Sequence, residues 1–188
     1  MGKQLTEMTL EELWELFPIF LVEHDEKWNI YFAEIEDLLL TILEAYPIRR
    51  ISHIGSTAIP GIMAKNIVDV LLEIPKSIDM EAVAQLIEQN GFIRMSTAPE
   101  RISFNRGYTP EGFAEKVYHV HLRYEGDHDE LYFRDYLLAH PQVAKEYEEL
   151  KLTLAAKYPH DRDVYTAAKT EFIEKYTEEA KKNKKRDD

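Results

Sequence analysis

The residues best suited to chemistry lie in the segment HIGSTAIPG and shortly after it. Gly55 lets the backbone approach a ligand closely, and the hydroxyls of Ser56 and Thr57 can hold phosphate oxygens together with nearby backbone N–H groups. Lys65 could add positive charge, and the carboxylate of Asp69 could hold Mg²⁺. Alternatively, the glycine–serine segment is only a turn and Asp69 is a buried, hydrogen-bonded carboxylate. The segment is not a Walker A loop, because the pattern GxxxxGK[ST] is absent.

Two histidines lie on a later segment, Val117–Tyr124, whose apolar pattern predicts a strand. Residues two apart in a strand point to the same face, so His119 and His121 share one face. If that face borders Asp69, the three side chains could hold one metal ion, more plausibly Zn²⁺, Mn²⁺ or Fe²⁺ than Mg²⁺. One histidine could instead act as a general base. The alternative is that both are polar residues hydrogen-bonded on a half-exposed strand.

Three further basic residues are candidates for binding a ligand's negative charge. Arg134 could grip a phosphate or carboxylate with two parallel hydrogen bonds, or it could pair with Asp135. Lys151 and Lys169 each share a helical face with a tyrosine four residues earlier. They could line the cleft, or they could be solvated lysines whose stems cover apolar surface.

The elements that must position these residues follow from periodicity and from the breakers Pro and Gly. Helices are predicted after the capping box at Thr9, from about Asp25 to Pro47, between Asp79 and Asn90, and over most of the chain from Glu130. Strands are predicted at Arg49–Ile54, Asn66–Ile74, Phe92–Met95, Arg101–Arg106 and Val117–Tyr124, with a loop at Gly107–Gly112. The nearly continuous apolar run in the second of these strands indicates a central strand that is covered on both faces. The fold class is therefore α+β.

Composition excludes several classes of protein. The 188 residues include no cysteine, which excludes disulfides, thiolate zinc sites and cysteine nucleophiles. The net charge of −12 argues against non-specific binding to duplex nucleic acid, although a local basic cleft could still hold a small phosphorylated ligand. No run approaches the ~18 apolar residues of a membrane span, and no signal-peptide pattern opens the chain. We therefore expect a cytoplasmic protein that does not enter a membrane.

The length favours one domain over residues 1–188. Within it, we expect residues 1–24 to form an N-terminal helical extension and residues 178–188 to form a frayed tail. The sequence does not indicate an oligomeric state.

Several motifs in order resemble one known family. They are HIGSTAIPGIMAKNIVDV, then YHVHL at 118–122, FRDYLLAHPQVAKEYEELK at 133–151 and YTAAKTEFI at 165–173. The chain resembles the GrpB family of nucleotidyltransferase-like proteins from about Val22 to Tyr176. The resemblance implies a short mixed sheet flanked by helices, with C-terminal helices and with the glycine–serine turn facing the acidic strand. In that superfamily, the turn positions a triphosphate and two carboxylates spaced Asp-x-Asp bind divalent metal. The family also occurs fused to dephospho-CoA kinase, so a partner enzyme is a further expectation.

The chain departs from the superfamily pattern at one carboxylate. Asp69 matches the first of the pair, but Leu71 stands at the position of the second and cannot bind metal. Glu73 shares their face of the strand, but it lies about 13 Å from Asp69 along the backbone. Paired metals in phosphoryl chemistry lie ~3.5–4 Å apart. Nucleotidyl transfer by the usual two-metal route is therefore in doubt.

The residues and the resemblance together lead to one expected function with two alternatives. We expect a cleft that binds a nucleotide or another phosphorylated small molecule. Metal-assisted nucleotidyl or phosphoryl transfer could follow, with Mg²⁺ or Mn²⁺, or with Zn²⁺ if the histidine pair ligates. One alternative is a non-catalytic ligand-binding or accessory domain. The other is a single-metal hydrolase that uses Asp69, His119 and His121.

Overall fold

Five strands and six α-helices make up most of residues 2–187, which the computed structural model describes. The strands are β1 (Arg50–Ile54), β2 (Val68–Ile74), β3 (Ile93–Ala98), β4 (Arg101–Thr109) and β5 (Gly112–Tyr124). The helices are α1 (Leu10–Leu16), α2 (Lys27–Ile42), α3 (Met80–Gln89), α4 (Asp129–Ala139), α5 (Pro141–Lys157) and α6 (Arg162–Asp187). Short 3₁₀ turns lie at Leu5–Glu7 and Ser56–Ala58.

The strands form one mixed sheet in the order β1-β2-β5-β4-β3. Only the β2–β5 pair is parallel, and the other neighbours are antiparallel. β2 lies between two strands and is buried at nearly every position, which confirms the predicted central strand and the α+β fold class.

Alternation along β2 and β5 divides the sheet into two faces. The even-numbered residues of both strands, such as Val70 and Val120, belong to the main core, together with Leu39 of α2 and Val83 of α3. The odd-numbered residues point to the opposite face, where Leu71 packs against residues that include one from α4. The candidate residues Asp69, His119 and His121 are all odd-numbered, so the C-terminal helices and not the main core face them.

The structure differs from the sequence predictions at several element ends. α2 ends at Ile42, earlier than the predicted stop at Pro47. β4 and β5 continue into the predicted loop Gly107–Gly112, because that segment is the end of a hairpin in which Thr109 pairs with Gly112. The capping box at Thr9 is present and opens α1, but α1 contains no buried residue, and Leu10 is 55% exposed.

The predicted frayed tail is helical where it is described. α6 continues through Asp187, and Asp188 lies outside the described residues. Lys181 forms an ion pair of 2.8 Å with Asp129, and Lys184 lies 5.4 Å from the ring centroid of Tyr132. These contacts attach the last turns of α6 to α4. The charged sequence of the tail does not by itself indicate such contacts.

Candidate functional site

The glycine–serine turn passes directly beside the carboxylate of Asp69. β1 ends at Ile54, which pairs with Asp69 in the antiparallel register, and the chain then turns at Gly55 with φ of +73°. A Cβ at Gly55 would lie 2.6 Å from Asp69 Oδ2. Only glycine combines this backbone conformation with so close an approach, so the local sequence brings the turn and the acid together.

Thr57 packs beneath the turn, on the side of His53, and its side chain does not line the cleft. Its side chain is 2% exposed, and its Oγ1 lies 2.9 Å from His53 Nε2. The His53 ring stacks on Phe32 with centroids 5.0 Å apart, and burial lowers the pKa of His53 to about 4. The predicted phosphate-binding role of Thr57 therefore does not fit this position, because its hydroxyl faces inward and is already hydrogen-bonded.

Asp69 meets both predicted histidines. Its Oδ1 lies 3.4 Å from His119 Nδ1 and 3.3 Å from His121 Nε2. Parallel pairing places Asp69 opposite His119, so adjacent strands bring the three side chains together. Burial opposes ionisation of Asp69, but the hydrogen bonds from the two imidazoles outweigh it and hold the pKa of Asp69 well below its ordinary value.

Tyr108 and Arg162 complete a chain of hydrogen bonds that spacing does not predict. Arg162 Nη2 donates to the Tyr108 hydroxyl at 3.1 Å, and that hydroxyl lies 2.7 Å from His119 Nε2. An arginine can only donate, so the Tyr108 hydroxyl accepts from Arg162 and keeps its own proton available for His119 Nε2. When Tyr108 donates to Nε2, neutral His119 carries its proton on Nδ1, which faces Asp69. Both nitrogens of His119 are therefore engaged.

A cleft of about 600 Å³ opens between the turn and the C-terminal helices. Gly55, Ser56, Asp69, His121 and Arg134 line it, so five of the predicted residues share one hollow. Its walls also include five apolar or aromatic side chains, those of Ile54, Ile59, Phe133, Tyr147 and Ile173. Four acidic side chains line it as well, those of Asp129, Glu130, Glu174 and Glu178.

Arg134 lines the cleft but already has partners. Its Nε donates to Asp135 Oδ1 at 2.8 Å, as the ion-pair alternative anticipates. Its Nη1 donates to the backbone carbonyl of His53 at 3.0 Å and so ties α4 to the end of β1. Arg134 thus positions the turn as well as contributing charge to the cleft.

Lys151 is buried, so neither of its two predicted roles describes it. Its side chain is among the least exposed in the described residues, and Nζ donates to the Met63 carbonyl at 2.5 Å. Burial lowers the pKa of Lys151 to about 7. It is neither a solvated lysine nor a group that faces the cleft.

Lys65 and Lys169 approach one aromatic ring from two different elements. Their Nζ atoms lie 5.4 Å and 4.6 Å from the ring centroid of Tyr165. Burial lowers the pKa of both lysines, and that of Lys65, which the charges of Lys169 and Arg162 depress further, falls to about 7. Across residues 2–187, neither ammonium group donates a hydrogen bond or forms an ion pair.

The α6 face that carries Lys169 continues into the cleft. Tyr165, Lys169, Ile173 and Thr177 are spaced four apart, and the last two line the cleft. Lys169 therefore lies one turn beyond the cleft wall on the same face, and neither Lys169 nor Lys65 is itself among the residues that line the cleft. We call the region next to the cleft that contains Lys65, Lys169 and the ring of Tyr165 its inner end.

Comparison with known proteins decides the family. The family model described as GrpB protein matches residues 18–179. The chain belongs to the GrpB family. The Glutamate-rich protein GrpB of Alkalihalophilus pseudofirmus is 34% identical over 168 residues, which are 86% of this chain and 95% of that protein. The UPF0157 protein YqkA of Bacillus subtilis is 37% identical over 182 residues, which are 94% of this chain but 52% of that protein.

Solved structures agree on the fold. GrpB from Enterococcus faecalis superposes with a TM-score of 0.74 and 29% identity, covering 87% of this chain and 98% of that one. The Cid1 poly(U) polymerase with MgGTP bound superposes with a TM-score of 0.52 and 11% identity, covering 78% of this chain and 46% of that one. The fold of this GrpB-family chain is therefore nucleotidyltransferase-like.

The carboxylates of this GrpB-family chain do not fit a two-metal centre. Leu71 is fully buried against Ile54 and Leu131. Glu73 is also buried, and its carboxylate pairs with Arg50 Nε at 2.6 Å and His128 Nδ1 at 2.7 Å. Neither residue presents a second carboxylate beside Asp69.

The predicted single-metal site stays a prediction. The nitrogens that face Asp69 are Nδ1 of His119 and Nε2 of His121, and the opposite nitrogens lie against the hydroxyls of Tyr108 and Ser103. Over residues 2–187, no group of three or more His, Asp or Glu side chains is arranged to hold a metal ion. The two imidazoles here are placed to donate hydrogen bonds that fix Asp69.

The helices of this GrpB chain do not have the character of membrane spans. In the part of the chain that the structure describes, each helix is too short or too polar to cross a bilayer.

Proposed function

We propose that the cleft of this GrpB-family chain binds a nucleotide or another phosphorylated small molecule, with the phosphate at the inner end. The carrying observation is the pair of half-buried lysines, Lys65 and Lys169, whose ammonium groups meet at the ring of Tyr165 and form no ion pair among residues 2–187, although the charge of Asp69 favours both from a distance. A charge removed from water without a partner costs free energy, and an anion that enters beside it recovers part of that cost. A dianionic phosphate is a suitable anion because it can face two ammonium groups at once.

The turn supplies the second part of the proposed site. Gly55 brings the backbone beside Asp69, and Ser56, which follows it, lines the cleft with its hydroxyl available to a phosphate oxygen. The likeness to Cid1, whose structure holds MgGTP, supports a nucleotide as the ligand class. The apolar wall that includes Phe133 and Tyr147 could pack against a base or another flat group.

We propose binding without two-metal nucleotidyl transfer. Leu71 stands where the second metal-binding carboxylate would be needed, and Glu73 is engaged with Arg50 and His128. A domain of this kind could present its ligand to a partner enzyme.

A thermal-shift screen tests the proposal. It should compare nucleoside mono-, di- and triphosphates, CoA precursors and sugar phosphates, each with and without Mg²⁺, Mn²⁺ or Zn²⁺. A ligand at one hundred times its Kd stabilises the native state by about 2.7 kcal/mol, which such a screen resolves. We expect at least one phosphorylated class to raise Tm, while its dephosphorylated counterpart does not. If no phosphorylated compound raises Tm at millimolar concentration under any metal condition, the proposed function is wrong.

Lys157→Met provides a matched control for the binding site. Lys157 is an exposed lysine of α5 whose Nζ lies 5.2 Å from the ring centroid of Tyr158. It has the same lysine-over-tyrosine contact as Lys169 but lies outside the cleft. We expect Lys169→Met to lose the ligand-induced shift and Lys157→Met to keep it.

A further inference from the structure

We infer that the ammonium groups of Lys65 and Lys169 take the electrostatic role that metal ions have in two-metal nucleotidyltransferase sites, so that this chain binds its phosphorylated ligand without a divalent cation. This inference rests on the proposed function and specifies how the ligand's charge is neutralised. The fold is that of a metal-dependent superfamily, whereas Asp69 has no second carboxylate beside it and its Oδ1 already contacts two imidazoles.

Asp69 provides the anionic side of the site. A two-metal centre needs carboxylates that concentrate negative charge beside the phosphates. Here Asp69 is the carboxylate at that position, and its Oδ1 already receives hydrogen bonds from His119 and His121. A cation bound at that oxygen would compete with the two imidazoles, which Tyr108 and Ser103 contact through their opposite nitrogens.

The cationic side of the site comes from the chain itself. Lys65 precedes β2 and Lys169 lies on α6, yet both ammonium groups approach the ring of Tyr165. Arg162 adds a third positive charge within interaction range of Lys65. The chain thus concentrates positive charge of its own within interaction range of Asp69.

The neighbouring protein anions are already engaged. Glu148 accepts from the Met63 backbone N–H and pairs with Lys145 at 3.1 Å. Asp69 is held by the two imidazoles. Within residues 2–187, Lys65 and Lys169 therefore form no ion pair, and Asp69 acts on both only from a distance.

The hydroxyl of the same tyrosine is an unsatisfied donor. Tyr165 is 1% exposed, and its hydroxyl is buried without a hydrogen-bond partner among the described residues. Buried hydroxyl groups of folded proteins nearly always have a partner, so an acceptor from outside the chain, a water molecule or a ligand oxygen, is expected here. Phosphate oxygens are such acceptors, and a divalent cation is not.

Isothermal titration of the full chain with AMP and with inorganic phosphate tests the inference. Each probe is titrated once in buffer with EDTA and once with Mg²⁺ in excess. We expect the two Kd values for a probe to agree within about threefold. We expect Lys65→Met and Lys169→Met each to weaken binding at least tenfold in EDTA, with Lys157→Met unchanged.

The outcomes separate the inference from the proposed function. Binding that requires Mg²⁺ would overturn the inference while leaving the proposed function in place. Unchanged affinity of both methionine variants in EDTA would overturn the inference and the placement of the phosphate at the inner end, but not the binding of a phosphorylated ligand. The absence of binding for both probes under both conditions, and for every compound in the thermal-shift screen, would overturn both. Far-UV circular dichroism and Tm establish that each variant is folded, and Lys65→Arg and Lys169→Arg, which restore the charge, should recover part of the affinity.

Discussion

At the scale of single residues, the two lysines at the inner end lower the stability of the ligand-free chain and favour the binding of an anion. Each ammonium group is desolvated without an ionic partner among residues 2–187, so it destabilises the ligand-free chain. Replacing Lys169 with Met keeps the length of the stem and removes the charge. We expect Lys169→Met to raise the free energy of unfolding without ligand by about 0.5–2 kcal/mol, measured by urea denaturation.

The exposed Lys157 serves as the control for that measurement. Lys157→Met should change the free energy of unfolding by less than about 0.5 kcal/mol, because surface substitutions rarely do more. A lower stability of Lys169→Met would contradict the view that its ammonium group is unpaired in the folded chain.

The charge at Lys65 also makes binding depend on pH. Its pKa falls from 10.5 to about 7, because burial, Lys169 and Arg162 all disfavour the charged form, while Asp69 opposes the fall. An anion bound beside it favours the charged form and raises the pKa again. Between about pH 7 and 10.5 the complex therefore holds more protons than the free chain, and affinity should fall as the pH rises through this range.

Titration of AMP at pH 8.5 in two buffers of different ionisation enthalpy measures this proton uptake. The AMP phosphate is fully ionised at that pH, so protons taken up on binding belong to the protein. Lys65→Met should take up fewer protons than the parent chain. Equal affinity at pH 7.5 and pH 9.5 would count against the predicted protonation of Lys65 on binding.

Gly55 sets the distance between the turn and the acid. Gly55→Ala would add a Cβ 2.6 Å from Asp69 Oδ2 at a backbone φ of +73°. Gly61→Ala is the matched control, since Gly61 has φ of +79° and a Cβ added there would meet no atom within 4 Å. We expect both variants to lose about 1–2 kcal/mol of stability from backbone strain, and only Gly55→Ala to lose ligand binding as well. Urea denaturation and titration with AMP separate the two effects.

At the scale of elements, alternation along β2 decides which carboxylates the cleft contains. Asp69, Leu71 and Glu73 point to the same face but contact different groups. Asp69 lies beside the turn at Gly55, Leu71 packs against Leu131, and Glu73 pairs with Arg50. Restoring the superfamily pattern with Leu71→Asp would bury a carboxylate among Ile54 and Leu131. We expect this variant to lose at least about 3 kcal/mol of stability in urea denaturation, because a buried charge lacks a partner there.

Leu71→Val is the control for that substitution, and its cost should be limited to about 1–1.5 kcal/mol for the lost volume. A Leu71→Asp chain that stays folded and binds Mn²⁺ with micromolar affinity would show that the site can form the usual metal centre. That result would contradict the view that the surroundings of Leu71 exclude a second metal-binding carboxylate.

At the scale of the whole molecule, the C-terminal helices close the face of the sheet that carries the site. Thr177 is the last buried residue of α6, and Glu178 is the last residue of α6 in the cleft wall. Deleting residues 182–188 keeps both of them and the Lys181–Asp129 ion pair, and it removes Lys184 from the ring of Tyr132. We expect the shortened chain to lose less than about 1 kcal/mol of stability and to bind AMP unchanged, measured by urea denaturation and titration. Loss of binding would show that the end of α6 contributes to the cleft.

The sequence by itself determined the local elements and five of the residues that line the cleft. Apolar periodicity and the Gly and Pro breakers predict the central strand β2, the helix capped by Asp79 and the α+β class, because these signals act over a few neighbouring residues. Strand alternation also predicts that His119 and His121 share a face. Whether that face borders Asp69 depends on the parallel pairing of β2 with β5, which joins residues fifty positions apart.

Only the tertiary structure decided what each of these groups is free to do. Lys151 and Lys169 have the same local pattern, a tyrosine four residues before a lysine, yet Lys151 is engaged by the Met63 carbonyl while Lys169 is unpaired within residues 2–187. Tyr108 lies beyond the predicted end of its strand, and nothing in its spacing indicates contact with His119 and Arg162. Hydrogen-bond partners, burial and charge balance are set by residues distant in the chain, so the chemistry of the site follows from packing and not from the motif.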